Sequence, residues 1–71
     1  MAEFKYEVVK KIAVLSERGD WTKEFNLISW NGREAKYDIR EWNHKEGKLG
    51  KGITLSHEEI KLLVDALDIS L

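Results

Sequence analysis

The sequence predicts an α+β domain, a four-stranded antiparallel sheet followed by one C-terminal helix (β-β-β-β-α), working as a homodimer. Three observations carry that expectation. Residues 1–55 are a succession of β-branched and aromatic runs separated by turns marked with Gly, Asn and Asp. Residues 56–71 open with a helix-start signature and continue with apolar residues at helical spacing. The chain has 71 residues and no cysteine. A domain of that size buries only roughly 60% of its unfolded surface. Without disulfides or a metal, a partner subunit is the remaining source of stability.

The elements follow in order. Phe4, Tyr6, Val8, Val9, Ile12, Val14 and Leu15 read as strand, with an alternation that slips around Val8-Val9. One long strand over residues 4–16 with a bulge near Val9–Lys11, or two short strands, would produce that slip. Glu17-Arg18-Gly19-Asp20 is a turn. Trp21 to Trp30 is a second strand, Asn31-Gly32-Arg33 a turn, and Ala35 to Trp42 a third strand. Asn43–Gly50 reads as a charged loop, and a short fourth strand covers Gly52–Leu55. Ser56 and Glu59 then form a capping box, with Leu55 placed to staple onto Ile60. Ile60, Leu63, Val64, Leu67 and Leu71 define one apolar helical stripe. That stripe is expected to pack on the sheet, and part of it serves equally well as a subunit contact.

The turn at Asn31 decides which side chains share a face, because a one-residue slip inverts them all. A two-residue loop would group Phe25, Leu27, Lys36, Asp38 and Arg40, a poor core. A three-residue loop groups Phe25, Leu27 and Ser29 with Ala35, Tyr37 and Ile39, an apolar face for the helix to cover. The opposite, solvent-side face then collects Asn26, Ile28, Trp30, Lys36, Asp38, Arg40 and Trp42. Aromatic rings stack on unpaired bases and cations follow phosphates, a pairing suited to single strands. A subunit interface would also use two tryptophans, so both readings stand at this point.

Composition excludes several classes. The net charge is −1, but it is unevenly spread. Residues 1–55 carry eleven Lys/Arg against nine Asp/Glu, and residues 56–71 carry one against four. Bulk charge therefore leaves a nucleic-acid face open, while an acidic terminal helix is unsuited to the major groove. No apolar run approaches the roughly 20 residues of a membrane span. The N-terminus lacks the basic head and apolar stretch of a signal peptide, and the expected location is cytoplasmic. His44 and His57 are too far apart and too poorly supplied with neighbouring ligands for zinc. Asp38 and Glu41 point to opposite faces of a strand, so they form no acid–base pair. No enzyme activity, cofactor or small-molecule substrate is expected.

The string Tyr37-Asp38-Ile39-Arg40-Glu41-Trp42, followed by Lys51-Gly52-Ile53-Thr54-Leu55-Ser56 and a capped helix, resembles the C-terminal domain of the transcriptional positive cofactor four family. The resemblance is nearest to its compact bacterial YdbC-like branch and covers roughly residues 21–67. It implies a strongly curved sheet and a dimer formed partly through the helices. It implies sequence-independent binding of single-stranded DNA or RNA, in assisting transcription or protecting exposed strands. Trp30 matches the base-stacking aromatic, Arg40 a basic ridge residue, Lys51 a phosphate contact and Lys23 a basic position early in the second strand. Asn26, Lys36 and Trp42, which share the face, and Lys48, which leads toward Lys51, complete the candidate set. The family often has two consecutive aromatics after Arg-Glu, whereas Trp42 is followed by Asn43. The competing expectation is a protein-interaction module using the same tryptophans.

Overall fold

A computed structural model describes residues 5–70. Strand β1 (Tyr6–Arg18), β2 (Trp21–Trp30), β3 (Lys36–Asn43) and β4 (Lys48–Leu55) form one antiparallel sheet in chain order, and α1 (His57–Ser70) follows. Phe4 and Leu71, expected in the first strand and on the helical stripe, lie outside the described residues.

The first strand is a single element with three irregularities. Its register against β2 shifts between Val8 and Lys10, between Lys11 and Ala13, and between Val14 and Ser16. Thirteen residues of β1 therefore run beside ten of β2, with Val9, Ile12 and Leu15 as the extra ones. Each bulge bends the strand and increases its twist. The slip read at Val8-Val9 was the first of a series.

The β2–β3 pairing sets Leu27 against Tyr37, Phe25 against Ile39 and Asn26 against Asp38, the three-residue-loop register. The turn itself is tighter than that register implies. Asn31 and Gly32 both have positive φ (53° and 75°), and Arg33 N–H donates to the Trp30 carbonyl (3.0 Å). Such a turn suits Asn-Gly, because glycine carries no Cβ penalty at positive φ and Asn tolerates it. The additional residue is absorbed after the turn, before the ladder resumes at Ile28 and Lys36.

The sheet curls strongly. Tyr6 pairs with Trp30 at one end of β2, and Trp42 pairs with Thr22 near the other. Eight residues of flat strand span about 26 Å, yet the Tyr6 and Trp42 rings are 5.5 Å apart. Only a sheet coiled inward on the Asp38 face brings those corners together. The inside of the curl is the buried part of the protomer: Glu24, Asn26, Ile28, Asp38, Trp42 and Asn43 are all buried. This reverses an expectation. The face read as solvent-side is the interior, because curvature closes it. The Phe25 face, read as the core, is only half-covered.

The helix starts as expected. Glu59 N–H donates to Ser56 Oγ (3.1 Å) and Ser56 N–H to Glu59 Oε1 (2.8 Å), both halves of a capping box. It does not cover the sheet, however. The His57 ring meets Tyr37 edge-on at 4.9 Å, but no residue of α1 is buried. Leu62, Leu63, Val64 and Leu67 are exposed, as are Val9, Ile12, Val14 and Leu15 of β1 and Ile53 of β4. Among the described residues only Ile28 and Trp42 are buried hydrophobics. The expected helix-on-sheet core is absent among the described residues, since Leu63, Val64 and Leu67 of the stripe stay exposed and only Ile60 is half-buried.

Candidate nucleic-acid interface

The interior of the curl is held by a polar network centred on Asp38, which has no exposure. Arg40 grips it with both arms of its fork, Nε to Oδ1 at 2.9 Å and Nη2 to Oδ2 at 3.0 Å. Arg40 Nη1 donates to the Gly50 carbonyl at 3.1 Å, and Thr54 Oγ1 donates to Asp38 Oδ2 at 2.9 Å. Bidentate charge-assisted geometry of this kind is strong and directional. It ties β3 to β4. The Arg40 guanidinium also lies 5.0 Å from the centre of the Trp30 ring, within cation–π range.

From Trp30 a continuous row of rings crosses the mouth of the curl. Trp30 and Tyr6 are 5.8 Å apart, Tyr6 and Trp42 5.5 Å, and Trp42 and His44 5.7 Å. All fall in the range of attractive ring pairs. The members differ in access. Tyr6 is 40% exposed and Trp30 half-buried, but Trp42 is only 4% exposed, and its Nε1 has no hydrogen-bond partner among the described residues.

The β3–β4 turn, residues 44–47, is shorter than the loop expected over Asn43–Gly50, because β4 begins at Lys48. Asn43 is buried, and its Oδ1 accepts from Glu46 N–H at 2.9 Å, closing the turn. This sets His44 over the sheet, where its Nε2 lies 2.7 Å from Glu24 Oε2. Glu24 also accepts from Thr22 Oγ1 at 2.5 Å and Asn26 Nδ2 at 3.4 Å. Burial pushes the Glu24 carboxyl up. The hydrogen bonds from Thr22, His44 and Asn26, with the charge of a protonated His44, outweigh it and hold the group below the ordinary carboxylate range.

The candidate residues do not all come together. Asn26, Trp30, Lys36, Arg40 and Trp42 share the Asp38 face, with Lys36 exposed at its rim. Asn26 and Trp42 are buried within it. Lys23 sits opposite Glu41 on the other face and, with Lys51, lines a cleft that includes Ile39, Glu41 and Ile53. Lys48 is at the start of β4, its Nζ 3.1 Å from Glu46. Three residues of the mouth escaped the sequence reading. Tyr6 and Lys11 belong to β1, whose face could not be read through repeated bulges. Lys11 lies opposite Asn26 and borders a cleft with Glu24 and His44. In the sequence His44 is only part of a charged loop and an unsuitable zinc ligand, and nothing in its spacing ties it to Glu24, twenty positions earlier.

Residues 17–66 match the family described as Transcriptional Coactivator p15 (PC4). The chain belongs to that family. The matched segment runs from the last two residues of β1 through most of α1, and so takes in β2, β3, β4 and the polar network between them. The p15 (PC4) family is a non-enzymatic nucleic-acid-binding domain known for single-stranded DNA binding and coactivation. A relative, an uncharacterized protein of Treponema pallidum (strain Nichols), is 48% identical over 67 residues, spanning 93% of this chain and 79% of its own. Among the described residues no helix is long and apolar enough to cross a membrane.

Proposed function

We propose that this p15 (PC4)-family protein binds single-stranded DNA or RNA without sequence preference, as a homodimer, in assisting transcription or protecting exposed strands. The observation that carries the reading is the row of rings across the mouth of the curl, with Arg40 behind Trp30 and Lys36 and Lys11 on the same face. Each ring that accepts a base contributes about 1–3 kcal/mol regardless of base identity. In this reading Trp30 and Tyr6 take bases and Lys36 and Lys11 neutralise phosphates. Arg40 and Trp42 hold the platform from beneath. Lys48 and Lys51 steer the strand from the β4 side, and Lys23 adds charge from the outer face.

The dimer part rests on the unpartnered apolar surface. A chain with two buried hydrophobics among its described residues has little buried apolar surface to set against its ordering entropy. Leu63, Val64 and Leu67 form a helix stripe that stays exposed among the described residues. A second copy supplies the same stripe and closes both.

The test is a titration of intrinsic tryptophan fluorescence with an oligo-dT of about 20 nucleotides, against a matched duplex, at low and high salt. Quenching by the single strand alone, lost steeply as salt rises through counterion release, is the expected result. No response at low salt overturns the reading and moves the tryptophan face to a protein partner.

A further inference from the structure

Trp42 stands where the sequence suggested a second stacking surface, yet at 4% exposure it presents no face to a base. The ring lying on it does. His44 is parallel to Trp42, with 6° between the planes and 5.7 Å between centroids. The indole stacks against one side of the imidazole with a lateral offset, while the His44 side chain as a whole remains 57% exposed. Its orientation is fixed twice, by the Glu24 carboxylate at 2.7 Å and by the turn that Asn43 and Glu46 close. A surface ring held by nothing would sample several rotamers, and its stacking would be offset by the entropy of ordering it. This one is already ordered.

We propose that His44 is a second base-stacking platform, taking an unpaired nucleobase on its outer face at the end of the ring row opposite Trp30. This rests on the proposed single-strand binding and names a residue for it. Trp42 acts as the support that sets the height of the His44 ring, and Glu24 is a positioning residue that sets its angle. Neither touches the base. The cleft beside His44, bordered by Lys11, Ile12, Val14, Glu24 and Asn26, leaves room for the sugar and phosphate, with Lys11 as the nearby cation.

The experiment compares wild type, His44→Ala and His44→Phe on oligo-dT and on an abasic strand of the same length. Loss of one stacking contact should weaken oligo-dT binding by His44→Ala roughly 5- to 150-fold. His44→Phe should stay within about threefold of wild type, because a flat ring is retained. On the abasic strand, where no base remains to stack, wild type and His44→Ala should bind alike. His44 is exposed, and matching circular dichroism spectra will show that the variants fold. Equal oligo-dT affinity for wild type and His44→Ala overturns the platform while leaving the proposed function standing. So does an equal loss on both strands, which would assign His44 to phosphate or to the turn. Failure of the wild type to bind any single strand overturns both.

Discussion

Gly52 is where the curl is most sensitive to a single atom. It pairs with Arg40 across β3–β4, beside the register shift between Arg40 and Trp42. A Cβ there would overlap Arg40 Cβ and lie 2.6 Å from the Ile39 carbonyl oxygen and 2.7 Å from Arg40 Cα. Ordinary carbon contacts begin near 3.5 Å, so Gly52→Ala must push the strands apart by roughly 1 Å. The neighbours are backbone atoms and Arg40 Cβ, whose position the backbone fixes, so no side-chain rotation relieves the overlap. A separation of that size breaks the 3.1 Å bond from Arg40 to Gly50 and the 2.9 Å bond from Thr54 to Asp38. Overpacking costs about 1–3 kcal/mol, and each lost bond to a charged group about 1.5–3. The effects overlap, and about 3–5 kcal/mol is the expected total. A small domain loses about 4–8 °C per kcal/mol, so Tm should fall by at least about 12 °C. Thermal unfolding followed by circular dichroism, at one protein concentration because a dimer's Tm depends on it, measures the change. Gly50→Ala is the control. Its Cβ would meet the tip of the Trp21 ring at 2.9 Å and Glu41 Cβ at 3.0 Å. The ring can swing, and about 1 kcal/mol is expected. A Gly52→Ala protein as stable as wild type, or more stable than Gly50→Ala, would refute the reasoning.

Three other outcomes follow from the same geometry. Asp38→Ala should destabilise the protein by about 3–5 kcal/mol, read by urea unfolding, because it leaves the largely buried Arg40 charge without its partner. Leu63→Asp combined with Leu67→Asp should convert the proposed dimer to monomer in sedimentation equilibrium with little change at the ring row; a dimer that persists would exclude the helix stripe as the contact. Glu24 has a folded-state pKa below its unfolded one, so its contribution to stability is present above the unfolded value and lost as pH falls through the folded one. Wild type should therefore lose stability below about pH 4.3, the unperturbed value for Glu, and Glu24→Gln should show a shallower acid limb in pH-dependent unfolding.

Local signals in the sequence were sufficient for the elements. The capping box at Ser56 and Glu59 and the Asn31-Gly32 turn are decided within four residues, and both formed as their chemistry dictates. The β2–β3 register was legible because only one pairing gathers Phe25, Leu27, Tyr37 and Ile39. Curvature was not legible. It arises from three successive bulges in β1 and a further shift in β4, and a bulge changes face without changing composition. Without the curl, the Asp38 face reads as an open platform and the Phe25 face as the core. With it, Asp38 and Arg40 become the interior, and the polar string that carried the family resemblance is a structural clamp. The same closure brings Tyr6 to Trp42 and His44 to Glu24, contacts that no sequence spacing announces.

The distribution of charge completes the functional argument. The acidic surplus lies in residues 56–71 and the basic one in residues 1–55, and the structure gives these to different jobs. Glu58, Glu59, Asp65 and Asp68 belong to the helix, which in the proposed dimer lies between the protomers. Lys11 and Lys36 belong to the sheet face that carries the rings. In the proposed dimer a polyanion would be repelled from the helices and drawn to the mouths of the curls, although the net charge of the chain is −1. The consequence is measurable. Lys11→Gln and Lys36→Gln should each reduce the slope of log affinity against log salt by about 0.7 for a single strand. Reversing Glu58 to Lys, on the helix, should leave that slope unchanged. A slope that responds equally to all three would place the strand across the helices, and the ring row would then lose its role.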